Sequence, residues 1–128
     1  MLVKQAMSGA IFICHHSDRL DQVAKRMWEG EFQVALVVDE AGRFTSLVTD
    51  HDICMAAFNQ GKGLEELRVC EAVSQRQTAA CHPEDPVDEA RRLMLSQKLR
   101  KLPVIDHEGM PVGLISLSPL NQRSAETY

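Results

Sequence analysis

The chain has 128 residues, 45% of them apolar, and a formal charge of −4 at pH 7. That is the size and apolar content of one ordinary globular domain, and the charge excludes a general attraction to nucleic acid or anionic membrane. No apolar run approaches bilayer length, and the first sixteen residues, with one Lys and a short apolar stretch, do not read as a cleaved signal peptide.

In chain order, Ala10–Cys14 is a short apolar run that reads as a strand. Ser17 or Asp18 can cap a helix whose Leu20, Val23, Ala24, Met27 and Trp28 form one apolar stripe. Gly30 is the expected end of that helix. Val34–Val38 is a continuous apolar run rich in β-branched Val, as in a strand buried on both faces. The turn Asp39-Glu40-Ala41-Gly42 predicts a hairpin, with Phe44–Val48 as the return strand. Thr49 or Asp50 can cap a second helix carrying Ile53, Ala56, Ala57 and Phe58 and stopping at Gly61. Residues 61–68 read as a linker and Val69–Val73 as a helical turn.

The order then recurs: a strand near Thr78–Cys81, a helix from Pro86 to about Gln97, a strand at Leu102–Asp106, a turn at His107-Glu108-Gly109 and a strand at Val112–Leu117. Pro86 suits a first helical position, where its missing N–H is no loss. A final helix is disfavoured by Pro119, and residues 124–128 read as a frayed tail. The recurrence is a gapless internal repeat at a spacing of 67 residues. Its identities include Asp18/Asp85, Asp21/Asp88, Met27/Met94, Val37/Val104, Asp39/Asp106, Gly42/Gly109 and Leu47/Leu114. A repeat sets the fold before any other feature does. Two copies of roughly 60 residues, each marginal alone, are expected to share a core about a pseudo-twofold axis.

The apolar strand, the turn with its Asp and Gly, the phrase Thr49-Asp50-His51-Asp52-Ile53 and the later Leu102-Pro103-Val104 together resemble a tandem pair of CBS domains, named after cystathionine β-synthase. The resemblance covers about Val3 to Leu120. It implies an α/β fold of two CBS repeats (β-α-β-β-α) packed through their small sheets, with repeat 1 over 1–60, a linker over 61–68 and repeat 2 over 69–123. It also implies a module that binds adenosine-containing ligands and regulates attached or partner proteins.

The chemistry of the phrase can be stated from its residues. Thr49 sits where a strand becomes a helix, beside backbone N–H groups that lack intrahelical partners. Asp52, one turn on, can accept two hydrogen bonds, as a ribose diol requires. The alternative is that Thr49 and Asp50 only cap the helix and Asp52 only favours its positive end. The resemblance implies Asp52 on the ribose with Thr49 nearby, the cleft being completed by Leu47, Val48, His51, Ala79, Leu99, Arg100 and Lys101. Leu99 and Ala79 would meet the adenine, and Arg100 or Lys101 a phosphate. Alternatively, Leu99–Lys101 is a solvated helix end with favourable cations.

His51 replaces the Arg of the family's T-D-R-D phrase, which favours a less charged ligand or lower pH. In the second repeat Ser116 matches Thr49, but Pro119 stands at the Asp52 position. That cleft, flanked by Leu114, Phe12, Phe32 and Gln33, is therefore expected to be degenerate, with one ligand bound per chain.

The four cysteines form no C-x-x-C pair and read as reduced thiols in a cytoplasm, Cys14 and Cys81 as small core residues. Cys14-His15-His16 and Cys81-His82 fit no standard zinc spacing. No residue invites assignment to catalysis, and no cofactor is implied beyond a regulatory adenine nucleotide or S-adenosylmethionine. Met27, Trp28, Met55, Phe58, Met94 and Leu95 lie on helices that form the interface between modules in this family. Met27 and Met94 are expected in the chain's own core, Trp28 and Phe58 in a homodimer contact. The expectation is a cytoplasmic, dimeric, non-enzymatic sensor of an adenosine ligand (AMP, ADP, ATP or S-adenosylmethionine) signalling to a protein target. The alternative is an interaction module with no small ligand.

Overall fold

The computed structural model describes residues 1–73 and 79–116. In chain order they form α1 (Val3–Ala6), β1 (Ile13–His15), α2 (Leu20–Gly30), β2 (Val34–Val38), β3 (Phe44–Thr49), α3 (Asp50–Gln60), a 3-10 turn (Leu64–Glu66), α4 (Val69–Ala72), α5 (Val87–Ser96), β4 (Lys101–Ile105) and β5 (Pro111–Ser116). Thr78, Leu117, Pro119 and the tail 124–128 lie outside the described residues.

The chain divides into two compact units, Ile11–Thr78 and Met1–Ala10 with Ala79–Tyr128. The first holds a three-stranded sheet in the order β1-β2-β3, with β1 parallel and β3 antiparallel to β2. Every residue of β2 is buried, as its unbroken apolar run requires for the central strand of a covered sheet. The second holds the antiparallel pair β4-β5. Among its described residues, the expected Thr78–Cys81 strand is reduced to a single parallel bridge, Cys81 with Val104. The first repeat pairs Cys14 with Val37 at the equivalent place.

Both hairpin turns follow the sequence. Asp39 Oδ1 accepts from the amides of Ala41 (2.9 Å) and Arg43 (3.0 Å), and Asp106 Oδ1 from those of Glu108 and Met110 (both 2.9 Å). Gly42 and Gly109 supply the left-handed residue, at φ 84° and 86°.

Helix ends differ from expectation. Asp18 does not cap α2: its Oδ2 accepts from the His15 amide at 2.9 Å, turning back onto the strand just ended, and Arg19 is the N-cap. Asp85 repeats this on His82, and Pro86 is the N-cap of α5 rather than its first residue. Gly30 is inside α2. The left-handed cap is Glu31 at φ 58°, with Lys98 at the same φ after α5. A Cβ at Gly30 would lie 2.6 Å from the Phe32 ring, so that glycine makes room for an aromatic.

Among the described residues, the buried apolar side chains form two clusters. One cluster, including Leu20, Val37, Val48, Ile53 and Leu67, lies in the first unit; the other, including Val3, Met94, Leu102 and Val104, lies in the second. Each repeat closes its own core because it borrows a helical turn. α4 precedes the second repeat in sequence but packs on the first: Val69 N–H donates to Asp18 O (2.9 Å), Cys70 N–H to His16 O (2.9 Å), and Leu20 N–H to Leu67 O (2.8 Å). α1 makes the same set on the second repeat, Val3 N–H to Asp85 O (2.8 Å), Lys4 N–H to Pro83 O (2.9 Å) and Val87 N–H to Met1 O (2.9 Å). The fold's units therefore cut across the sequence's repeats, and within residues 61–68, which are otherwise mostly exposed, Leu67 is fully buried.

Candidate functional site

The junction of β3 and α3 is built by the phrase Thr49–Asp52. Thr49 is the N-cap, in extended conformation at φ −108°. Its hydroxyl oxygen accepts from the Asp52 amide at 3.1 Å, and Asp52 Oδ2 accepts from the Thr49 amide at 2.9 Å. This reciprocal capping box satisfies two otherwise orphaned donors. It also fixes the Asp52 carboxylate at the helix start while Oδ1 takes no part in the box. Asp50 Oδ1 accepts from the His51 amide at 2.8 Å. Thr49 and Asp52 are half-buried; Asp50 and His51 are exposed. The capping role and the ligand role weighed from sequence are thus compatible in one carboxylate, which has about four acceptor positions.

Leu47 is half-buried on β3, beside Thr49. Val48 is fully buried in the core of this unit. The structure thus brings Leu47, Thr49, His51 and Asp52 together at one strand-to-helix junction. Ala79, Leu99, Arg100 and Lys101 belong to the other unit. There Leu99 and Ala79 pack against the buried cluster, and Lys101 pairs in register with Ser116.

Of the second group, Phe12 and Phe32 are stacked with ring centroids 5.6 Å apart, and Gln33 follows, exposed. Leu114 and Ser116 lie on β5, where Leu114 exchanges two backbone hydrogen bonds with Ser8, both 2.9 Å. The sequence reading missed this N-terminal arm. The signal was there: Val3 and Ala6 repeat as Val69 and Ala72, and Gln5 Oε1 caps the Leu2 amide as Glu71 Oε2 caps that of Arg68, both at 2.7 Å.

Elsewhere the thiols of Cys14 and Cys81 are buried. Burial, with Asp18 adding to it, pushes Cys14 up to about 12; burial and Asp85 push Cys81 to about 11. Among the described residues, no three His, Cys, Asp or Glu side chains cluster as a metal site would need, and no helix is long and apolar enough to cross a membrane.

The family model for the CBS domain matches residues 3–59 and 70–118. The chain is 31% identical over 128 residues to a CBS domain-containing protein of Dictyostelium discoideum, covering 94% of this chain and 88% of that one. It is 27% identical over 127 residues to an L-aspartate semialdehyde sulfurtransferase of Methanosarcina acetivorans, covering 99% of this chain but only 24% of the enzyme. It thus spans about a quarter of the length of that relative. A CBS domain pair solved in complex with 5′-methylthioadenosine and S-adenosyl-L-methionine superposes with a TM-score of 0.77 over all of both chains, at 23% identity. With two successive matches that account for most of its length, on two α/β units that repeat each other's turns and ladders, the chain belongs to the CBS domain family as a tandem pair.

Proposed function

We propose that this chain is a non-enzymatic regulatory module that binds an adenosine-containing ligand and passes its occupancy to a protein target. The observation that carries the reading is the capping box, because it presents a pre-fixed carboxylate, Asp52, whose Oδ1 is left for a diol. Thr49 and Asp52 hold the ribose. Leu47, Val48, His51, Ala79, Leu99, Arg100 and Lys101 complete the site as the family resemblance implies. Ser116 has no carboxylate at the matching Pro119, so one ligand binds per chain. The complex of a related pair with two adenosine compounds supports this ligand class. Signalling requires that the ligand favour one arrangement of the module over another, and a reducing compartment such as the cytoplasm suits the four free cysteines.

The test is a thermal-shift screen with AMP, ATP and S-adenosylmethionine on the wild type and Asp52→Ala. A ligand that binds only the folded state raises its melting temperature. Asp52→Ala also removes half of the capping box and lowers the ligand-free stability by about 1 kcal/mol, so the quantity read is the ligand-dependent shift. That shift should appear in the wild type and vanish in the variant. No shift with any ligand would reject the adenosine reading; an equal shift in both proteins would reject the role of Asp52.

A second reading, an assembly module without a small ligand, is favoured by one observation. Trp28 on α2 and Phe58 on α3, in the same unit, are 84% and 79% exposed. Aromatic side chains are the type enriched in protein–protein interfaces, and these two would serve a homodimer contact.

A further inference from the structure

We propose that His82 and His107, in the second unit, form an exchangeable site for a divalent transition-metal ion of the zinc, nickel or copper type. Neither residue belongs to the adenosine site. The two imidazoles come from separate segments, one next to the Cys81–Val104 bridge and one on the β4–β5 turn. Their ring centroids are 6.0 Å apart and their planes 20° from parallel. One ring is already oriented. His82 Nδ1 lies 2.9 Å from the Ile105 carbonyl oxygen. A carbonyl only accepts, so Nδ1 carries the proton, and in the neutral ring the lone pair is then on Nε2. A metal-binding histidine is held in the same way, its other nitrogen donating to a backbone carbonyl or carboxylate.

The backbone under both rings is fixed. Cys81 N–H donates to Pro103 O at 3.0 Å and Ile105 N–H to Cys81 O at 2.9 Å, which ties the His82 segment to β4. The His82 amide donates to Asp85 Oδ2 at 2.9 Å. Asp106 Oδ1 accepts from the Glu108 and Met110 amides and so holds the turn that carries His107. Both histidines are exposed, so an ion reaches them from solvent. Two ring nitrogens, each about 2.1 Å from a tetrahedral ion, bring their ring centroids to about 5 Å. The pair therefore closes by about 1 Å, which a side-chain rotation of His107 supplies. Imidazole suits zinc, copper and nickel, whereas magnesium and calcium take oxygen ligands. Among the described residues no third His, Cys, Asp or Glu joins the pair. Two protein ligands fall short of a closed site, so water fills the remaining positions and the ion exchanges. The first repeat offers an internal comparison. His15 matches His82, but Glu40 stands in place of His107, and among the described residues no carbonyl holds the His15 ring.

The experiment is a titration of the full chain with Ni²⁺ under reducing conditions, followed by paramagnetic broadening of the backbone amide resonances, on the wild type, His107→Ala and His15→Ala. His107→Ala removes one ligand from an exposed turn, and its metal-free spectrum checks that the fold is kept. In the wild type, the amides flanking His82 and His107 should broaden first. Zn²⁺ should reverse the broadening by competition, and excess Mg²⁺ should not. His107→Ala should weaken nickel binding at this place by about tenfold or more, and His15→Ala should leave it unchanged. Broadening that begins instead at His15, His16, Cys54 or Cys70 would overturn the inference. So would broadening that keeps its wild-type strength in His107→Ala, broadening displaced by Mg²⁺, or none at millimolar Ni²⁺.

Discussion

Aspartates carry much of the local structure, and equivalent ones act alike in both repeats. Asp18 and Asp85 bond back to the amides of His15 and His82, three residues upstream, Asp39 and Asp106 shape the hairpin turns, and Asp52 closes a capping box. The first pair shows why identity alone misassigns a role. An Asp two residues before a helix reads as a cap, yet the same carboxylate reaches the strand's outward amide at 2.9 Å and leaves the helix to begin at Leu20. Cysteine behaviour is also decided residue by residue. Cys14 and Cys81 are buried with thiols pushed up to about 12 and about 11, whereas Cys54 and Cys70 are exposed on α3 and α4. Since the thiolate is the reactive form, an aromatic disulfide reagent at pH 8 should titrate two thiols in the native protein and all four in denaturant. A native titre of four would contradict the burial of Cys14 and Cys81.

At the scale of elements, α1 and α4 are each made by one repeat's sequence and used by the other repeat's core. The N-terminal arm also lies against β5, where a Cβ at Gly113 would come within 2.7 Å of Met7 Sδ and 3.0 Å of the Ser8 carbonyl oxygen. Removing residues 1–7 therefore strips Val3 from the core of the C-terminal unit, a loss of about 2 kcal/mol in side-chain burial before its backbone bonds are counted. Hydrogen exchange on the truncated chain should show protection lost across residues 79–116 and kept across 11–73. The opposite pattern, with the sequence-adjacent repeat failing, would disprove the exchange of helical turns. The same reasoning gives Gly113→Val a milder version of the defect.

For the whole molecule, the apolar surface left over by two closed cores is informative. Met27 and Met94 are fully spent inside their units, as their place in the stripe predicts. Trp28 and Leu95, equivalent residues of α2 and α5, remain exposed, as does Phe58. If the first unit's helices form a homodimer, sedimentation should show a concentration-dependent dimer. Trp28→Glu with Phe58→Glu should reduce it to monomer without changing the melting temperature of the isolated protomer. A wild type that stays monomeric at high micromolar concentration would remove the dimer from the functional reading.

The sequence by itself determined the repeat, the identity of nearly every strand and helix, both hairpin turns and the Thr49–Asp52 junction. These depend on patterns of a few residues: alternation, a helical stripe, a turn glycine, a cap. Only the tertiary structure decided which helical turn completes which core, because a four-residue helix has too little periodicity to announce its partner. It also decided that Asp18 serves a strand, that Gly30 yields to the Phe32 ring, and that Val48 turns inward while Thr49 and Asp52 lock each other at the helix start. Each of these is a choice between two chemically adequate partners. Distance in space makes that choice, and order along the chain does not.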